Sequence, residues 1–168
     1  MAEQAMDLAM IDEVWLLPVY RHTFNKHLNE LQIRLDLTRL LTNHRIKLST
    51  LEIDNKLSGQ TIELVPILKK GYPQHRFIFI IGSDQLPTFH KWGEYKKLLK
   101  LLPFLVMPRA GFSLQPLYSG MRVLDHPLLV TTNISSTIIR DRIKKSLTIN
   151  NLVPEKVREY IEEKGLYK

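Results

Sequence analysis

The richest chemistry in this sequence lies in the stretch Ile134-Ser135-Ser136-Thr137-Ile138-Ile139-Arg140-Asp141-Arg142. Hydroxyl residues directly ahead of a helical pattern read as a helix N-cap. A helix N-terminus presents free N–H groups and partial positive charge, which suits a phosphate. Ser136 and Thr137 add hydroxyl donors, and Arg140 adds a full charge one turn on. The same residues also describe an ordinary capped helix. Three further segments hold groups of useful type. In Gly82-Ser83-Asp84, the glycine lets a ligand approach the backbone, and Asp84 either accepts hydrogen bonds from ribose hydroxyls or caps the next helix. In Pro108-Arg109-Ala110-Gly111, Arg109 either grips a phosphate through two parallel hydrogen bonds or faces solvent. In Phe89-His90-Lys91-Trp92, the Trp92 ring either stacks on a flat heterocycle or fills the core.

Several chemistries are excluded. The chain has no cysteine, so there is no thiolate metal site, disulfide or cysteine nucleophile. The histidines show no metal-ligand spacing: His22 and His27 are the nearest pair, with no carboxylate beside them. No Walker loop and no G-x-G pair occurs. The first residues carry Glu3, Asp7, Asp12 and Glu13, unlike a secretory leader. No apolar run reaches the ~18 residues that span a bilayer. Basic residues number 24 against 17 acidic, a net charge of +7 that attracts anions in general without naming one.

The elements that must position these groups follow from the apolar pattern. Short apolar runs occupy residues 13–18, 76–81 (closed by Gly82), 104–107 (closed by Pro108) and, more weakly, 128–130. Near-continuous apolar runs between turn residues suit strands covered on both faces. Helical patterns fill residues 2–10, 28–42, 60–70, 93–100, 136–145 and 154–164. Alternating strands and helices predict an α/β fold with a parallel sheet, in one domain over residues 1–168. Ligands in such folds bind at the carboxyl ends of the strands. Asp84 and Arg109 both follow such ends.

Taken in order, these segments resemble the bacterial nicotinate-nucleotide adenylyltransferases of the nucleotidyltransferase superfamily. The resemblance is carried by Asp12-Glu13-Val14-Trp15 through Pro18, Gln60-Thr61-Ile62, Gly82-Ser83-Asp84 with Trp92, Pro108-Arg109-Ala110-Gly111, the I-S-S-T-x-[IV]-R motif at 134–140, and the tail from Leu152-Val153-Pro154 to Leu166-Tyr167. It implies a Rossmann-like, doubly wound parallel sheet. It implies transfer of adenylyl from ATP, escorted by Mg2+, to nicotinate mononucleotide, giving deamido-NAD and pyrophosphate in the cytoplasm. By the same resemblance Ser136, Thr137 and Arg140 hold the triphosphate and serve catalysis, and Ile134, Ser135 and Gly82 border the ATP. Asp84 holds the ribose, while Thr61, Ser83, Trp92 and Arg109 face the other substrate. No protein-held metal site, membrane contact or nucleic acid is expected, and a homo-oligomer is allowed.

The family opens with a strand and a G-x-F-x-P-x-H-x-G-H segment, which these residues lack. The expectation is therefore an N-terminally truncated domain without its central first strand. The strands on either side should then be left unpaired. Losing one donor to a transferring phosphoryl group typically costs about 10²–10³ in rate, so the 168 residues alone should turn over negligibly. Phosphopantetheine adenylyltransferase, with a similar serine-rich motif, is the neighbouring alternative. A non-catalytic nucleotide- or RNA-binding domain using Arg140, Arg142, Lys144 and Lys145 is another, and would bind less as salt rises.

Overall fold

The computed structural model describes residues 1–21 and 30–168, so His22, His27 and the start of the second helical pattern lie outside the described residues. Five strands in parallel pairs alternate with helices, except that β5 follows β4 directly. Strand β1 (Val14–Leu16) pairs with β2 (Ile46–Leu48). Strand β3 (Phe79–Gly82) pairs with β4 (Phe104–Met107), which pairs in turn with β5 (Met121–Val123). No ladder joins β1 to β3 among the described residues. Among the described residues the strands thus form two sheets, β1-β2 and β3-β4-β5.

The β3-β4-β5 sheet is covered on both faces, which is why its central strand is apolar at every position. On one face Ile81, Phe104 and Val106 meet Val65 of helix α4 (Thr61–Gly71), Leu98 of α5 (Tyr95–Leu101) and Phe89 of the 3-10 segment Ser83–Lys91. On the other, Leu105 and Met107 meet Ala5 of α1 (Ala2–Leu8). A separate cluster joins α6 (Ser136–Lys144) to α7 (Glu155–Glu163) through Ile139, Val157 and Ile161, with Leu37 and Leu40 at the end of α2 (Leu31–Arg39) packed against it. Tyr160 on α7 donates to Asp36 on α2 at 3.0 Å.

Two parts of the sequence reading need correction. The weaker fourth apolar run, residues 128–130, is not a strand: Leu128 is 74% and Val130 66% exposed. His126-Pro127 begins a turn there, and the Val130 backbone instead exchanges two hydrogen bonds with the Gln4 side chain, at 2.7 and 3.0 Å. The strand is Met121-Arg122-Val123, held by Phe104 N–H donating to Gly120 and Leu124 N–H to Val106. Strand β2, unforeseen, has a charged residue at its centre and only Ile46 buried. Among the described residues no helix is long and apolar enough to cross a membrane.

Candidate active site

Because β3 and β4 are parallel with Gly82 opposite Met107, the residues just past both strands emerge side by side. Ser83 is fully buried, and its hydroxyl accepts from the Arg109 N–H at 3.0 Å, fastening the two strand ends together. One step on, the Arg109 guanidinium forms an ion pair with Asp84 at 3.1 Å. These side chains are 13% and 20% exposed, so the pair is largely out of water. Gln85 also donates to Asp84, at 2.9 Å. The other face of the guanidinium donates to the carbonyls of Asn133 at 3.1 Å and Ile134 at 2.7 Å. Arg109 is therefore a clasp across three chain segments: the end of β3, the end of β4 and the approach to α6. Its neighbour Gly111 closes the turn with φ of +83°, a conformation that a side chain would strain. Gly82 is equally constrained, since an added Cβ would collide with the Asp84 carboxylate and the Arg109 stem.

The approach to α6 delivers the serine-rich motif. Ser135 caps the helix, its hydroxyl accepting from Ile138 N–H at 3.2 Å. The N–H groups of Ser136 and Thr137 lie in the first turn, where an α-helix offers no internal acceptor, and both residues are exposed. Arg140 lies one turn further. It makes no ion pair among the described residues, its guanidinium resting 5.9 Å over the Tyr167 ring. A cation near a helix N-terminus opposes the helix dipole, so its placement is unfavourable until an anion joins it.

Thr61 and Trp92 stand apart from this clasp, on the wall of a cleft of 1170 Å3 that runs between β1 and β3. Thr61 is the first residue of α4. Trp92 lies edge-on to Phe79, with ring centres 6.0 Å apart, and tilted on Phe89 at 5.0 Å, so its ring is at once part of the core and part of the wall. Gly93 beside it nearly touches the Gln60 amide, and a Cβ there would collide with that side chain. The structure thus gathers Gly82, Ser83, Asp84, Arg109, Ile134 and Ser135 into one bonded unit, while Thr61 and Trp92 occupy a second position.

Glu52 escaped the sequence reading. It sits in the short helix α3 (Leu51–Asp54), is 4% exposed and lines the same cleft, and one carboxylate oxygen is buried without a hydrogen-bond partner. Burial pushes its acid up to about 7, with the negative charge of Glu63 adding to the effect. Glu63 itself accepts from the N–H and hydroxyl of Ser58 at 2.9 and 2.8 Å. An acid flanked by Leu51 and Ile53 was the sole signal in the sequence. No group of three or more acidic or histidine side chains among the described residues could hold a metal ion.

Comparison with known proteins supplies the context. A cytidylyltransferase-like family model matches residues 1–142. Nicotinate-nucleotide adenylyltransferase of Bacillus subtilis is 32% identical over 175 residues, covering 99% of this chain and 88% of the relative. The probable nicotinate-nucleotide adenylyltransferase of Exiguobacterium sibiricum is 36% identical over 171 residues, with the same coverages of 99% and 88%. Among solved structures, Plasmodium falciparum nicotinic acid mononucleotide adenylyltransferase complexed with NaAD superposes with a TM-score of 0.79 at 24% identity, over 99% of this chain and 87% of that one. The same enzyme complexed with APC gives 0.76 at 23% identity, with the same coverages of 99% and 87%. At those identities the likeness is one of fold.

Proposed function

Because the chain belongs to the cytidylyltransferase-like family, and within it to the nicotinate-nucleotide adenylyltransferases, we propose that its site transfers adenylyl from ATP to nicotinate mononucleotide in the cytoplasm. A phosphate oxygen of the mononucleotide attacks the α-phosphorus of ATP. The bond from that phosphorus to the bridging oxygen of the β-phosphate breaks, and pyrophosphate leaves with the electron pair. The products are deamido-NAD and pyrophosphate. Such a reaction needs alignment and charge stabilisation more than acid–base chemistry.

The observation that carries this reading is a helix N-terminus with exposed hydroxyls and an Arg140 free of ion pairs among the described residues, held beside two strand ends by the Arg109 clasp. The N–H groups of α6, with Ser136 and Thr137, donate to the triphosphate, and Arg140 answers its charge. Asp84, held still by Arg109 and Gln85, accepts from the ribose hydroxyls. The buried backbone at Gly82 and Ser83 lies against the nucleotide, with Ile134 bordering it. Thr61 and Trp92 line the position for the nicotinate ring. In this reading Arg109 acts on the substrates through Asp84. Mg2+ arrives as the ATP complex.

Calorimetric titration of the chain with MgATP, and separately with nicotinate mononucleotide, tests the reading. Both should bind, and Arg140→Ala should weaken MgATP about tenfold while leaving the mononucleotide unchanged. Binding of phosphopantetheine in place of the mononucleotide would overturn the substrate assignment. MgATP binding that Arg140→Ala leaves unchanged would overturn the triphosphate assignment.

A further inference from the structure

On the reading that Arg140 meets the triphosphate, we propose that Tyr167 is the positioning residue for that cation: its ring holds the Arg140 guanidinium beside α6 before any nucleotide arrives. The placement begins with the way α7 ends. Gly165 follows the helix with φ of +59°, and its N–H donates to the Glu162 carbonyl at 3.1 Å. The Leu166 N–H donates to the Ile161 carbonyl at 3.0 Å. This pair of bonds closes a helix through a left-handed residue and turns the chain back along the helix side. Leu166 and Ile161 then share the apolar cluster that joins α7 to α6. Tyr167 comes next, with φ of +66°, a conformation uncommon for a residue that carries a side chain. It is half-buried against the same cluster, and its ring centre lies 5.9 Å from the Arg140 guanidinium. Ile139, buried in that cluster, directly precedes Arg140. The turn that ends α7 thus delivers an aromatic face to the residue of α6 that carries the charge.

The chemistry of this contact suits a cation that must stay available. A carboxylate in place of the ring would neutralise Arg140 and occupy its N–H donors, and a triphosphate would have to displace it. A ring attracts the cation through the negative face of its π system and leaves the N–H donors for phosphate oxygens. Arg109 is held in the opposite way, by Asp84 and two carbonyls, so its donors are engaged within the protein. Holding Arg140 beforehand also matters for affinity. An unheld arginine samples many rotamers, and fixing one of them on binding weakens the complex. The ring removes part of that cost and offsets the repulsion between a cation and the positive end of α6.

Calorimetric titration with MgATP tests the role, in full chains where residue 167 is phenylalanine or a phenylalanine carrying one, two or three ring fluorines. Fluorine draws electron density from the ring face and weakens its pull on a cation while nearly keeping its shape. Tyr167→Phe should bind MgATP as the parent does. Affinity should then fall stepwise with each fluorine, to about fivefold weaker with three. Urea unfolding midpoints should stay level across the series. Affinity that also stays level would show that the ring only packs, and would overturn the proposal. Tyr167→Leu completes a double-mutant cycle with Arg140→Ala. It should weaken MgATP about as much as three fluorines do, and have no further effect once Arg140 is gone. A loss that persists in the Arg140→Ala background would mean that the ring acts on the nucleotide directly, and the positioning role would fall. If Arg140→Ala weakens MgATP and Tyr167→Leu does not, the triphosphate reading stands and the proposal alone fails. If neither substitution has an effect, both fail.

Discussion

Glu52→Gln should change how the stability of this protein depends on pH. Glu52 is 4% exposed, and its acid is raised from 4.5 to about 7 by burial, with Glu63 adding to it. The folded state therefore favours the protonated form. Below pH 4.5 the group is protonated in both the folded and unfolded chain, and its contribution is fully present. Between 4.5 and 7 the unfolded chain loses the proton while the folded chain keeps it, so stability falls as pH rises. Above 7 both forms are ionised and the loss is complete. A shift of this size, at 1.36 kcal/mol per unit, corresponds to about 3 kcal/mol. For a chain of this length that is on the order of 10 °C in Tm. Glutamine keeps the shape of the side chain and cannot ionise. Its own burial adds a constant offset, so the informative quantity is the slope. Urea unfolding of both proteins at half-unit steps from pH 4 to pH 8.5 measures it. The gap between the curves should shift by about 3 kcal/mol across that range, in favour of the glutamine variant at high pH. Curves that run parallel would refute the argument, because every other titrating group is common to the two proteins.

Three further outcomes are expected. Arg109→Ala should lower stability by about 2 kcal/mol, less than the cost of breaking a fully buried ion pair because Asp84 keeps some access to water; urea unfolding measures this, and Arg109→Lys should not restore it, since one ammonium group cannot reach Asp84 and two carbonyls together. Ser135→Ala should cost about 1 kcal/mol by removing the cap on α6, and a melting curve indistinguishable from the parent would contradict the capping role. Gly93→Ala forces the far end of the flexible Gln60 side chain to move; it should leave Tm within a few degrees while weakening nicotinate mononucleotide binding several-fold in calorimetry, with MgATP binding unaffected.

The parts of this protein that the sequence disclosed are those where one local cause dominates. Strand Phe104–Met107 was legible because helices cover both of its faces and every residue must be apolar. Helix α6 was legible because its cap and its cations are consecutive in the chain. Strand β2 was hidden because three residues centred on a lysine carry no alternation that a loop would not also show. Strand β5 was misplaced because Met121-Arg122-Val123 is less apolar than the exposed turn at 128–130 that follows it.

The function of Arg109 shows a different limit. Its residue type suggested a phosphate contact, yet its partners are Asp84 and the carbonyls of Asn133 and Ile134, each about 25 residues away along the chain. Those partners are set by the register of β3 against β4, since a slip of one residue would move Arg109 away from Asp84. The apolar packing of Phe79, Ile81, Phe104 and Val106 is what fixes that register. The geometry at Asp84 is thus determined in the core. A substitution such as Val106→Ala, remote from any nucleotide, should loosen the strand ends and weaken MgATP binding together with stability. Arg140→Ala should weaken binding alone, because Arg140 lies outside the β3-β4 core and pairs with no acid among the described residues. Measuring both variants by calorimetry and urea unfolding separates a residue that holds the site from one that holds the ligand. Equal losses of stability in the two would show that Arg140 supports the fold, and would remove it from the triphosphate site.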